Sequence, residues 1–215
     1  MNLHNKNIIA IIPARGGSKG IPKKNITNFL NKPLITHSIE YAKKSILVDN
    51  IYVSTDDKDI SKISLDNGAK VINRPKNLSN DTASTESALL HALDNIDTKP
   101  HAIILLQPTS PLRPKGSLDK AIKHFFLGRY DSLLSISPTH RFFWETKNKT
   151  AIPKYNYKNR PRRQDIGLDE IKYVENGSLY ISTYDSLISN KNRLGGNIGF
   201  IIFKEQYSYE IDTPT

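Results

Sequence analysis

At 215 residues the chain can bury one good core with room for an excursion from it, and 37% apolar with 24% charged residues is the balance of a globular protein. A formal charge of +10 points to nucleic acid or to a small anion-rich substrate; the basic residues form no tail, and no zinc-finger, RNP or basic-zipper pattern occurs, which weighs against nucleic acid. The lack of cysteine excludes disulfides, cysteine nucleophiles and thiolate metal sites, while no run approaches the ~18 apolar residues of a membrane span or the layout of a signal peptide, so a cytoplasmic protein with no membrane partner is expected.

The first predicted element is a strand over Ile8–Ile12. Its apolar residues do not alternate, which suits a strand covered on both faces in a parallel α/β sheet. It opens into Pro13-Ala14-Arg15-Gly16-Gly17-Ser18-Lys19-Gly20-Ile21-Pro22-Lys23-Lys24-Asn25, a loop with three glycines and four cations. The spacing fits neither the P-loop nor G-x-G-x-x-G. Two readings stand: an ordinary basic βα loop, or a phosphate cradle whose glycines let backbone N–H groups reach phosphate oxygens.

A helix follows Pro33 over Leu34–Ala42, with His37 read as packing. The stretch Asn50–Asp57 reads as a strand whose Asp56-Asp57 end caps a helix over Lys58–Asp66, stopped by Asn67-Gly68. Val71–Pro75 is a short strand carrying Arg74. The hydroxyl-rich run Leu78–Glu86 leads into a helix over Ser87–Ile96, with Thr82 or Thr85 as candidate caps and a helix N-terminus suited to anions or the polar edge of a base. His101–Leu106 is a second unbroken apolar strand. It ends in Gln107-Pro108-Thr109-Ser110-Pro111-Leu112-Arg113, where two prolines stiffen a loop presenting an amide and two hydroxyls. A helix over Lys115–Leu127 and a strand over Ser132–Ser137 complete the regular pattern.

From Pro138 to Tyr173 the periodicity is lost. Phe142, Phe143, Trp144, Tyr155 and Tyr157 argue against disorder, and aromatics mixed with arginine are an interface composition. The cluster Lys158–Asp165 is either a polyanion-binding patch or a carboxylate site, since guanidinium groups bind carboxylates bidentately. Near the end of the chain Glu210 and Asp212 lie on one side of an extended segment.

Five motifs in this order resemble the CMP-sialic acid synthetases (acylneuraminate cytidylyltransferases): Pro13–Asn25, Arg74 with the Thr82–Glu86 run, Gln107–Arg113, Arg160–Asp165 with Glu175–Tyr180, and Glu210-x-Asp212. The resemblance implies a three-layer α/β/α doubly wound, mostly parallel sheet of the nucleotide-diphospho-sugar transferase type. The core would be residues 1–137 and 174–215, with 138–173 an inserted arm that pairs two protomers as a homodimer and contributes to the sugar site. It implies transfer of CMP from CTP to an acidic nine-carbon sugar, with Mg²⁺ (or Mn²⁺) on Asp212 and Glu210. Arg15, Gly16, Gly17, Ser18, Lys19, Asn25, Arg74, Thr85 and Gln107 would contact the nucleotide, and Arg15, Lys24 and Arg160 would be catalytic. Gln107, Thr109, Ser110, Arg163, Gln164, Asn176 and Tyr180 would form the sugar site. The chain departs from the family pattern at Ala83, where some members carry a hydroxyl, and at Glu210, where members carry Asp. Relatives continue past Thr215 into a closing helix.

Overall fold

The computed structural model describes residue 3 and residues 5–18, 20–167 and 170–212, with only the backbone of Arg163. In chain order the strands and helices are β1 (Ile8–Pro13), β2 (Asn28–Phe29), β3 (Lys32–Pro33), α1 (Leu34–Lys43), β4 (Asn50–Thr55), α2 (Lys58–Asp66), β5 (Lys70–Asn73), α3 (Thr85–Asp94), β6 (Ala102–Leu105) and α4 (Ser117–Leu127). There follow β7 (Ser132–Thr139), β8 (Trp144–Lys147), β9 (Thr150–Pro153), β10 (Lys172–Ser182), α5 (Tyr184–Asn190) and β11 (Ile198–Ile202).

Seven strands form the central sheet in the order β11-β7-β10-β6-β1-β4-β5. β1 runs parallel to β4 and β6, β4 to β5, and β11 to β7, while β10 is antiparallel to both of its neighbours. The expected mostly parallel doubly wound sheet is what forms. Strand β1 explains its own lack of alternation: Ile8, Ala10 and Ile12 pack with α1 and α4 residues Ile35, Ile39, Ile122 and Phe125, whereas Ile9 and Ile11 pack with α3 and α5 residues Leu89, Leu93 and Leu187. With helices on both faces, every position of β1 and β6 is apolar for the same reason.

The local rules act where they were expected. Asp57 caps α2, its side chain accepting from the N–H of Ile60 at 2.9 Å. His37 is a packing residue, its Nε2 2.7 Å from the Phe29 carbonyl and its ring edge-on to Phe29. Helix α3 differs from expectation. It begins at Thr85, and its cap is Ser84, which accepts from the N–H of Ser87 at 3.0 Å. Thr82 does not serve as the cap because Asn80 Oδ1 already takes its N–H, its hydroxyl and the N–H of Ala83. That Asx turn decides where the helix begins.

The segment between β7 and β10 leaves the sheet; β7 runs two residues past the expected strand end at Ser137, and β10, a strand the sequence reading did not assign, begins at Lys172, two residues inside the expected arm. Strands β8 and β9 make a hairpin of their own, closed by Asn148 and Lys149 at φ 50° and 62°. Both central turn residues are then left-handed, as a type I′ turn requires. Phe142 and Trp144 pack on Tyr155 with ring centroids 4.4 and 5.8 Å away. Among the described residues no helix is long and apolar enough to cross a membrane.

Candidate active site

The C-terminal ends of β1 and β6 open into a cleft of about 360 Å³, the crevice where open α/β sheets receive ligands. Four chain segments supply its walls: the glycine loop after β1, Arg74 after β5, the start of α3, and the Gln107 loop after β6.

The glycine loop is braced from behind. Gly16 donates its N–H to Asp56 Oδ1 at 2.9 Å, and a Cβ on Gly16 would come within 2.8 Å of the Asp57 side chain, so the residue that caps α2 also demands a glycine here. Buried Asn25 donates to the Arg15 carbonyl at 2.9 Å; it lines the cleft and also fixes the loop. Gly17 stands in open space, Ser18 lines the cleft, and Lys19 lies outside the described residues. Lys23 turns away to Asp59.

Two of the cations that line the cleft rest on carboxylates. Arg15 Nη2 is 3.1 Å from Asp81, with Nη1 2.5 Å from the Asn80 carbonyl, and Lys24 Nζ is 2.8 Å from Asp212. Arg74 is different. It is 7% exposed, and its Nε and Nη2 find no hydrogen-bond partner among the described residues. Burial lowers its pKa, the Arg15 charge adds to that, and Asp56 opposes it. Beside it Ala83, Ser84 and Thr85 bring the positive end of the α3 dipole to the same wall.

On the other wall stand Gln107, Pro108 and Thr109. Their loop is held by Arg113, to which sequence reasoning gave no role: its Nη2 donates to the Gln107 carbonyl at 2.8 Å, Nε to the Ser178 carbonyl at 3.0 Å, and Nη1 to Ser38 Oγ at 3.1 Å. Its place at the end of a proline-rigid motif was the only signal available.

Strand β10 meets this loop at a bulge between Glu175 and Tyr180. Gly177 sits there at φ +64°, and a Cβ on it would strike Glu210 Oε1 and lie 3.1 Å from both Gln107 Oε1 and Ser110 Oγ. No side chain fits where those three groups converge. Ser110 and Asn176, which the resemblance assigns to the sugar, lie in the framework beneath. Ser110 is fully buried with its hydroxyl 3.4 Å from the Asn176 carbonyl, while the Asn176 side chain receives Ser135 Oγ and the Ser178 N–H and donates to Ser137 Oγ. Tyr180 donates its hydroxyl to Glu175, and its ring lies under Arg193, which is paired with Glu86 of α3 at 3.0 Å. Burial first and Glu175 second hold the Tyr180 hydroxyl above its usual pKa.

The terminal segment is tied to this wall by the Ile211 N–H on the Thr109 carbonyl at 2.8 Å. Burial raises the pKa of Glu210, and Asp212 and Glu175 raise it further. Among the described residues no three His, Cys, Asp or Glu side chains group as a metal site. Two carboxylates that repel each other beside the cleft nevertheless suit Mg²⁺, which takes one or two carboxylates and completes its shell with substrate phosphates and water.

Arg160 and Gln164 do not reach the cleft. Both are exposed on the segment between β7 and β10, with the Arg160 guanidinium 4.5 Å over the Phe142 ring. The side chain of Arg163 lies outside the described part of the structure.

A family model described as cytidylyltransferase matches residues 9–215. The chain is 36% identical over 212 residues to N-acylneuraminate cytidylyltransferase A of Danio rerio, covering 96% of this chain and 48% of that protein. It is also 36% identical over 183 residues to a pseudaminic acid cytidylyltransferase of Campylobacter jejuni, covering 81% of this chain and 78% of that one. The chain thus spans about half the length of the N-acylneuraminate relative and most of the pseudaminic one. Among solved structures, CMP:2-keto-3-deoxy-manno-octonic acid synthetase complexed with CTP superimposes with a TM-score of 0.70 at 17% identity, over 97% of this chain and 94% of that one, a likeness of fold. Matched over residues 9–215 by the family model, and 36% identical to relatives over 81–96% of its length, this chain belongs to the cytidylyltransferase family.

Proposed function

We propose that this chain transfers CMP from CTP to the anomeric hydroxyl of N-acetylneuraminic acid or a related nonulosonic acid and releases pyrophosphate. The observation that carries the reading is Arg74, a buried guanidinium with two nitrogens lacking partners among the described residues, set beside the α3 N-terminus in a cleft where Arg15 and Lys24 rest on exchangeable carboxylates. Such a group is matched to a polar, electron-rich ligand.

In the reaction the anomeric hydroxyl gives up its proton to solvent, its oxygen forms a bond to the α-phosphorus, and the bond from that phosphorus to the bridging oxygen breaks, so that pyrophosphate departs with the electron pair. The protein's work is positioning and charge neutralisation. Arg15 and Lys24 exchange Asp81 and Asp212 for triphosphate oxygens. Gly16, Gly17 and Ser18 bring backbone close to the phosphates, and Gln107 and Thr109 face the junction of nucleotide and sugar. Asp212 and Glu210 would hold Mg²⁺, which supplies polarisation of the α-phosphate. With Lys24 turned to the phosphates, Asp212 would be released from its ion pair and could join Glu210 in holding Mg²⁺.

The arm, residues 138–173, acts in a homodimer, where Arg160, Arg163 and Gln164 serve the partner's sugar site. Two features support this. The aromatic arm stands clear of its own cleft, and on edge strand β11 Ile198, Phe200 and Ile202 point one way and are about half exposed, at 47%, 52% and 49%, an apolar row suited to burial between protomers.

Pseudaminic acid is the second reading, favoured by a relative of equal identity that the chain covers more fully. Pyrophosphate release with CTP and Mg²⁺, measured across N-acetylneuraminic, legionaminic, pseudaminic and 3-deoxy-octulosonic acids, tests both. Turnover with one sugar identifies the acceptor, and no release from a folded, CTP-binding chain refutes the transferase reading.

A further inference from the structure

Among the described residues that line the cleft, Asp81 is the one acid, and it shares the walls with the cations Arg15, Lys24 and Arg74. A carboxylate on the wall of a site built for a polyanion opposes the ligand, so its place there calls for a reason.

The backbone around Asp81 is shaped by its neighbours. Asn80 Oδ1 accepts from the Thr82 N–H, the Thr82 hydroxyl and the Ala83 N–H at 3.0, 2.9 and 2.8 Å, and Asn80 Nδ2 donates to the Asn77 carbonyl at 2.9 Å. The Ser79 hydroxyl donates to the Pro75 carbonyl at 3.2 Å, and Ser84 caps α3. None of these bonds uses the Asp81 carboxylate.

What the carboxylate does hold is Arg15. Its Oδ1 lies 3.1 Å from Arg15 Nη2, while the adjacent Asn80 carbonyl takes Nη1 at 2.5 Å, so one stretch of chain grips the guanidinium through two nitrogens. A guanidinium offers the same two-pronged contact to a phosphate. The Arg15 and Asp81 side chains are 31% and 45% exposed, so water and salt screen the pair and its exchange for another anion is cheap. The Arg15 charge also reaches Arg74, and an anion on Arg15 offsets the repulsion between the two cations.

We propose that Asp81 is a resident anion that competes with the triphosphate of CTP for Arg15 and thereby sets how strongly the cleft binds nucleotide. The guanidinium leaves Asp81 as the triphosphate arrives, and the carboxylate that stays on the wall repels the phosphates. Both effects weaken CTP binding and favour the departure of pyrophosphate. The inference rests on the cleft being the CTP site proposed above. Asp212 stands in the same relation to Lys24, but it is also assigned to Mg²⁺, so replacing it changes two things at once; Asp81 isolates the competition.

Isothermal titration of CTP, with Mg²⁺ present, into the parent chain, Asp81→Asn and Asp81→Ser tests this, and circular dichroism with a thermal melt checks that each variant folds. An exposed ion pair is worth a factor of about two to five in an equilibrium, so the neutral variants should bind CTP about two- to fivefold more tightly than the parent. A residue that only supports the loop predicts the opposite sign or no change. Tightening of about twofold or more in either folded variant supports the proposal. A smaller gain, or weaker binding, in every folded variant overturns it and leaves the CTP site standing. Failure of both variants to fold makes Asp81 a structural residue and overturns it as well. A parent chain that binds no CTP overturns this inference and the transferase reading together.

Discussion

Replacing Arg74 with methionine separates a ligand-binding guanidinium from a structural one. The parent buries Nε and Nη2 with no partner among the described residues, next to the charge of Arg15. A buried donor left unsatisfied costs about 1–3 kcal/mol. Methionine keeps much of the aliphatic stem and removes that cost. The ligand-free variant should therefore be as stable as the parent, or more stable by about 1–2 kcal/mol, equivalent to roughly 2–8 °C in melting temperature for a domain of this size. CTP binding should move the other way. A hydrogen bond to a charged group is worth about 1.5–3 kcal/mol, so losing one weakens CTP binding by about 10- to 150-fold. Thermal melts with and without CTP read both quantities in one series: the ligand-free melt holds or rises, and the CTP-induced upward shift shrinks or disappears. A variant that melts several degrees lower yet keeps the parent's CTP shift would show that Arg74 supports the fold, and the reasoning about its unpartnered nitrogens would fail.

Gly177→Ala should lower both stability and turnover, because a left-handed φ of +64° costs a β-carbon about 1–2 kcal/mol and that carbon meets Glu210, Gln107 and Ser110; unchanged melting and kcat would contradict the convergence described at the bulge. For Glu210, burial with Asp212 and Glu175 raises the pKa, so the folded chain holds this proton more firmly than the unfolded chain does. The stability it contributes is present below the ordinary glutamate pKa and is lost as pH rises through the raised one. Melting temperature should thus fall from pH 4 towards neutrality more steeply in the parent than in Glu210→Gln, and parallel pH curves would remove the argument. Arg160→Ala should raise KM for the sugar or lower kcat while leaving KM for CTP unchanged in steady-state assays; equal loss of CTP affinity would place this arginine with the nucleotide instead.

Much of the fold was readable one residue after another. Unbroken apolar strands at Ile8–Pro13 and Ala102–Leu105, and helices with apolar residues on one side at Leu34–Lys43 and Ser117–Leu127, express periodicities that each segment carries alone. Strand β10, helix α5 and strand β11 were not assigned. The β10 strand carries a bulge and the sequence Glu-Asn-Gly-Ser, which obeys neither period, and β11 shows apolar residues on both faces although one face is half exposed.

The sequence by itself determined the α/β class, the loops at the strand ends and the residue types gathered there, because backbone propensity, capping and glycine-proline chemistry act over a few neighbours. The tertiary structure alone decided which of those residues face the cleft. Arg74 was buried with Nε and Nη2 unpartnered among the described residues, Arg113 was drawn behind the Gln107 loop to bond Ser38 and Ser178, and Asn176 turned inward to Ser135 and Ser137. The span from Ser38 to Arg113 is 75 residues and that from Asn176 to Ser135 is 41. Burial and hydrogen-bond competition across such distances exist only once the strands have been ordered in the sheet, so no local pattern encodes them.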